Sequence, residues 1–315
     1  MNIELPVAIN VRTNTESLYQ QCLKLIEKIF PLEGFDVILF PDGDYSKISD
    51  PVKIIWDMCR LGSPLCLLYN LLQPAKQLEV KQGDNMTKAK ASKRFVFLFI
   101  QACRTDLRIP EDELFNITDV FKEDTNLFVK VVNVLNILLK TIEDRGYYPK
   151  NIKPLPFNIP NSEDIESPKD NRAKLVAELL NSERSYVQDL ERLHNYQIEA
   201  EAKILSKEDS ITLFANLGEL LDFQRKFLIH MESVLSVPTQ EQRIGNLFSS
   251  MEEGFSVYQI FCANQDKAAK FALENCDALV PLTNIMEPKY ELPSYLIKPV
   301  QRICKYPLLL NNEDI

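Results

Sequence analysis

The side chains that could carry chemistry in this chain are few, and their spacing excludes most of it. The two histidines, His194 and His230, lie far apart and form no His-x-x-x-His or Cys/His pattern for a metal. No Gly-x-Ser-x-Gly, Walker or Gly-x-Gly-x-x-Gly pattern offers a nucleophile or a phosphate cradle. No covalent catalysis, metal or cofactor is expected. What remains is polar surface at helical spacing. In "LPSYLIKPVQRICKYPLLL", residues 292–310, Lys298, Gln301, Arg302 and Lys305 fall at i, i+3, i+4 and i+7 and should share one polar face. Leu296, Val300, Ile303, Pro307 and Leu310 should share the apolar one. Pro293 opens this segment and Pro299 lies inside it, so a kink is expected near Leu296. In "AKLVAELLNSERSYVQDLERL", residues 173–193, the face is Leu175, Leu179, Ser182, Tyr186, Leu190 and Leu193. Glu178 lies beside that face.

The elements that must position these residues read as helices. The chain has 315 residues, with 45% hydrophobic, 26% charged and only 8 glycines, a composition that favours long periodic helices over a turn-rich β fold. A helix is expected over 17–30, with Thr15 as a cap and an irregular stretch after it. "DPVKIIWDMCRLG" opens on Asp50 as N-cap with Pro51 in the first turn and stops at Gly62. "SPLCLLYNLLQP" repeats the device from Ser63 and Pro64. A polar, basic loop follows. "FVFLFIQACRTDL" is apolar nearly all round and predicts a central buried helix. Trp56, Leu61, Leu65, Leu68 and Leu72 should pack on Phe128, Val132 and Leu135. Residues 149–170 hold five prolines and several charges and read as a linker. Later helices are expected at about 171–200, 208–235, 240–264, 266–280 and 293–310.

Net charge is −9, with −1 in residues 1–150 and −8 in 151–315. So acidic a chain lacks the basic footprint of nucleic-acid binding, which points to protein partners. The seven cysteines are odd in number and hold no Cys-x-x-Cys pair, as expected of buried thiols in a cytosolic protein. No signal peptide is read at the start. The longest apolar runs, such as "FVFLFI", are too short to span a bilayer.

"WDMCRLGSPLCLLYNLLQP" at 56–74, with "DLRIPEDELFNITDVFKEDTNLFVKVVNVLNILL" at 106–139, resembles a calponin-homology domain over about 50–148. A single domain of that kind is usually an adaptor, so actin binding is not implied. "ELLNSERSYVQDL", "FSVYQIFCANQDKAAKFALENC" and "LIKPVQRICKYPLLL" resemble, in order, three segments of the Dbl-homology domain of Rho-family guanine-nucleotide exchange factors. The two domains in this order resemble the fungal cell-polarity exchange factors that act on the cell-division-cycle type of Rho GTPase.

The resemblance implies an all-α fold, a calponin-homology helical domain followed by an elongated, incomplete Dbl-homology bundle. An amino-terminal extension with one helix (1–49) would precede the calponin-homology domain (50–148), the linker (149–170) and the Dbl-homology domain (171–315). It implies release of GDP from a Rho-family small GTPase without covalent chemistry. Glu178 would engage the first switch of the GTPase and Lys298 the second, with Gln301 and Arg302 at the same surface or bracing the bundle. The family's domain continues past "KYPLLL", so this chain is expected to be weakly active or inactive and to fray at its end. Further partners implied are a polarity scaffold or heterotrimeric G-protein subunits, with a cytoplasmic location and indirect recruitment to the cortex. The alternative is a non-catalytic adaptor that works through the calponin-homology domain.

Overall fold

The computed structural model describes residues 16–81, 86–150, 155–156 and 171–310, and every regular element among them is helical. The expected Thr15 cap and almost all of the expected linker lie outside the described residues. The chain divides into two compact units, one within Leu18–Glu166 together with Glu232–Pro238, the other within Ser167–Met231 and Thr239–Ile315.

The first unit holds α1 (Leu18–Ile29), α2 (Phe35–Leu39), α3 (Pro51–Leu61), α4 (Ser63–Asn70), α5 (Lys88–Thr105), α6 (Ile117–Phe121) and α7 (Thr125–Asp144). Local chemistry sets α3. The Asp50 carboxylate accepts from the Lys53 N–H at 3.0 Å, Pro51 fills the first turn, and Gly62 ends the helix at φ +74°. Gly62 also serves as the N-cap of α4, in place of the expected Ser63, so α3 and α4 meet at one residue. A Cβ at position 62 would lie 2.5 Å from the Ser92 carbonyl oxygen, which brings α5 directly against this corner. The stretch read as irregular forms α2 and a 3-10 turn, Tyr45–Ser49. There Phe30, Phe40 and Tyr45 make edge contacts in a trio, and aromatic burial supplies the order that prolines and glycines withhold.

The Trp56 ring stacks on Phe128 at 4.1 Å, and its N–H donates to the Val120 carbonyl at 2.9 Å. Leu65, Leu68, Val132 and Leu135 are fully buried, as expected, but Leu61 is 50% exposed at the end of α3. α5 starts earlier than read, capped by Thr87, and is not apolar all round: Phe97 is 45% exposed. α7 is long and apolar enough on composition to cross a membrane. Its Phe128, Val131, Val132, Val134, Leu135 and Leu138 are instead fully buried in this unit's core.

The second unit holds α8 (Asn171–Lys203), α9 (Lys207–Phe214), α10 (Leu217–Leu235) as far as Met231, α11 (Ile244–Ser250), α12 (Val257–Glu274), α13 (Cys276–Leu279), α14 (Glu291–Leu296) and α15 (Lys298–Leu310). The single helix expected over 208–235 is two. The break falls at Ala215, held at φ +47°, beside Asn216, whose side-chain amide donates to the Val257 carbonyl at 3.0 Å. The helix expected over 240–264 breaks in the 250s, where Gly254 gives room to the Phe223 ring, and α12 then runs on through 265. The expected kink appears as the α14/α15 junction at Ile297. α12 packs on α9, α14 and α15, and α8 packs on α9, α14 and α15. Four cysteines of the first unit are buried; Cys262 and Cys276 are half-buried and Cys304 is exposed, so not every thiol is a core residue.

Candidate functional site

α8 and α15 carry all four residues singled out by the sequence. α8 buries Leu179, Tyr186, Leu190 and Leu193 as its periodicity requires, and also Val176, Leu180 and Val187. Packing from two sides therefore widens the buried face. Glu183 lies in the middle of that face, with 0% exposure. Glu178, five residues earlier, points to solvent.

α15 is rotated relative to its expected setting. Its inward face is Pro299, Arg302 and Tyr306, not Val300, Ile303 and Pro307. Arg302, placed by spacing on the polar face, is 6% exposed. Its Nε donates to Glu183 Oε2 at 3.1 Å, its second terminal nitrogen pairs with the same carboxylate, and Nη1 donates to Ser182 Oγ at 3.1 Å. Arg302 thus joins α15 to α8 and presents little to a docking partner. The correction has a simple cause. A buried carboxylate on α8 needs a cation, and Arg302 is the one its packing reaches.

The Glu183 carboxylate collects further donors. The Tyr306 hydroxyl donates at 3.0 Å, and the Gln224 amide donates to Oε1. The Tyr258 hydroxyl donates to Gln224 Oε1 at 2.7 Å and lies 3.0 Å from the Tyr186 hydroxyl. The network draws on α8, α10, α12 and α15. Burial pushes the Glu183 carboxyl above the usual range, against the pull of Arg302, Tyr306 and Gln224. Burial also pushes the Tyr186, Tyr258 and Tyr306 hydroxyls well above 10. Sequence reading missed Glu183. The signal was there: it stands at i+4 from Leu179 and i−3 from Tyr186, on the apolar face.

Lys298 is half-buried. Its ammonium pairs with Asp189 of α8 at 2.7 Å and lies 3.7 Å from the Tyr295 ring centre. Gln301 and Lys305 are exposed. The pairings fix the register: Lys298 meets Asp189 and Arg302 meets Ser182 and Glu183, so α15 runs antiparallel to α8. Extrapolated along that register, Lys305 falls at about the level of Glu178 on α8, while Asp189, the partner of Lys298, lies eleven residues or about 16 Å further along α8. The structure therefore leaves Glu178, Gln301 and Lys305 as exposed polar groups of the two helices and engages Lys298 and Arg302 internally.

The RhoGEF domain family matches residues 175–312, and the CDC24 Calponin family matches residues 50–139. The Rho guanine nucleotide exchange factor scd1 of Schizosaccharomyces pombe is 38% identical over 318 residues, covering 95% of this chain and 36% of that protein. Cell division control protein 24 of Saccharomyces cerevisiae is 32% identical over 271 residues, covering 83% of this chain and 31% of that protein. The chain spans about a third of the length of these two relatives. A solved structure of the Vav1 exchange factor aligns at 24% identity with a TM-score of 0.41, covering 44% of this chain and 40% of that one. Residues 175–312 are a RhoGEF (Dbl-homology) domain, and residues 50–139 ahead of them a CDC24 calponin domain.

Proposed function

We propose that this chain belongs to a guanine-nucleotide exchange factor that releases GDP from a Rho-family GTPase of the cell-division-cycle type, at cortical sites of cell polarity. The RhoGEF match over 175–312 carries this reading, and the two similar fungal proteins, an exchange factor and a cell division control protein, give its direction. Recruitment from the cytoplasm to the cortex, through a polarity scaffold or heterotrimeric G-protein subunits, is part of the same proposal.

The chemistry is binding alone. A small GTPase holds its nucleotide through a phosphate loop, Mg²⁺ and two switch segments. A factor that binds the empty GTPase more tightly than the loaded one weakens nucleotide binding by the same factor, because coupling is reciprocal. In this reading Glu178 accepts hydrogen bonds from the first switch, and its exposure on α8 leaves it available to do so. Gln301 and Lys305 meet the second switch from α15. Lys298 reaches the GTPase only by leaving Asp189, and Arg302 acts by holding the two helices in register.

A charged acceptor at a desolvated contact is worth ~2–3 kcal/mol, or roughly a 30- to 150-fold change in rate. Glu178→Ala in the full-length protein should therefore slow release of a fluorescent GDP analogue from the GTPase by that factor, with unchanged thermal stability. Unchanged release kinetics would remove Glu178 from the mechanism.

A further inference from the structure

The outer ridge of α5 has no role in the site above. Lys90, Lys93, Arg94, Phe97, Gln101 and Arg104 are all exposed, and at 100° per residue they occupy one arc of about 100°. The ridge is about 21 Å long at 1.5 Å per residue. It is strongly basic in an acidic chain: residues 86–108 hold six Lys+Arg and only Asp106 in return, while the whole chain carries −9. Phe97 sits between the cations. Beside it an open cleft of about 450 Å³ is lined by the apolar Phe97, Ile100, Phe115 and Ile117 and by four polar residues, Arg104 among them.

The cations are held loosely. Lys93 lies 5.7 Å from the Phe121 ring centre, and Arg94 donates to the Lys81 carbonyl at 3.4 Å. Arg104 pairs with Glu111 at 2.6 Å, but both partners are solvent-exposed, so an incoming carboxylate displaces Glu111 at little cost.

We propose that this ridge is the docking surface for an acidic amphipathic segment of a partner protein. The segment places an apolar side chain in the cleft beside Phe97 and carboxylates against Lys93 and Arg94 on one side and Arg104 on the other. Charge complementarity selects the acidic partner in an acidic chain that otherwise repels it. The shape selects a protein segment over an anionic bilayer. A helix that binds a bilayer surface buries a whole apolar face, whereas this ridge exposes Phe97 alone among its cations, and Phe97 lines a cleft that accepts a side chain.

The test uses the 315-residue chain and a fluorescein-labelled peptide of about 16 residues, helical in design and long enough to cover the ridge. Leucine forms its apolar stripe and glutamate flanks it. Anisotropy should show saturable binding with Kd of about 10–100 μM at low salt, weakening as salt screens the charges. The pair Lys93→Glu and Arg94→Glu should weaken it at least ~10-fold, and Phe97→Ser at least ~5-fold. These residues are exposed, so the variants should keep the parental melting temperature. Absence of saturable binding overturns the proposal. So does equal binding by either variant, equal binding of a peptide with serine for leucine, or capture by phosphatidylserine vesicles or actin filaments with no binding of the peptide.

Discussion

Arg302 and Glu183, 119 residues apart in the chain, form a buried ion pair that ties α15 to α8. Taking one partner away leaves a charge in the core, which typically costs ~3–5 kcal/mol, whereas replacing both by apolar residues of similar size is often neutral or stabilising. Arg302→Ala should accordingly lower the unfolding free energy measured by urea denaturation by an amount in that range. Arg302→Met combined with Glu183→Leu should recover most of it. Additive losses from the two changes would show that the pair is not the coupled unit described.

Lys298 and Lys305 should separate in their effects. Lys298→Ala removes the Asp189 pair and the Tyr295 contact, both half-exposed, and should cost ~0.5–1 kcal/mol in a denaturation experiment. Lys305→Ala should leave stability within ~0.5 kcal/mol yet slow nucleotide release by about 10-fold or more, equivalent to ~1.4 kcal/mol of lost contact. The opposite pattern would make Lys298 the docking cation.

The buried tyrosines set an alkaline limit. Burial raises the Tyr186, Tyr258 and Tyr306 hydroxyls above their ordinary value near 10. The folded state then holds protons that the unfolded state gives up, so the stability they contribute is present below pH ~10 and falls as pH rises beyond it. In an alkaline titration followed at the tyrosinate band, the three tyrosines of this network should ionise only together with loss of helical circular dichroism. Complete ionisation with the helices intact would contradict the network.

Trp56 is the sole tryptophan of the chain, stacked and hydrogen-bonded in the core. Its emission should be blue-shifted relative to free indole. Trp56→Ala should cost ~3–5 kcal/mol, read as an earlier denaturation of the first unit. A water-like emission maximum would show that the ring is not in this core.

Much of the fold was legible where local chemistry decides. Asp50, Pro51 and Gly62 bound α3 because capping and backbone conformation are properties of single residues. The kink before α15 followed from its prolines. The errors share a different cause. Spacing shows which residues lie on one face of a helix, but not which face turns inward when neighbours cover two sides. That is why Arg302 was read as surface and Val300 and Ile303 as core. Glu183 was passed over because a carboxylate is taken as solvated until its partner is known, and that partner is 119 residues away. The break at Ala215 was not legible at all, since alanine carries no turn signal and the φ of +47° is imposed by tertiary packing. The candidate residues were read onto two helices from spacing alone, but their partners were not: the pairing of Lys298 with Asp189 depends on the antiparallel register of α15 against α8, which no local pattern encodes.

Gly62 bears on what variation this corner can tolerate. Two separate prohibitions meet there: a φ of +74°, which side chains rarely adopt, and a Ser92 carbonyl oxygen 2.5 Å from where a Cβ would sit. With ψ at −41° the conformation also lies outside the left-handed α region that asparagine and aspartate tolerate, so these too fail on both counts. The clash is with backbone, which cannot swing aside like a side chain. Any replacement must therefore push α5 away from the α3–α4 corner, and α5 carries the basic ridge. A saturation library at this position, selected for folded protein, should return glycine alone, and weakly folded survivors should be impaired at a surface that residue 62 never touches.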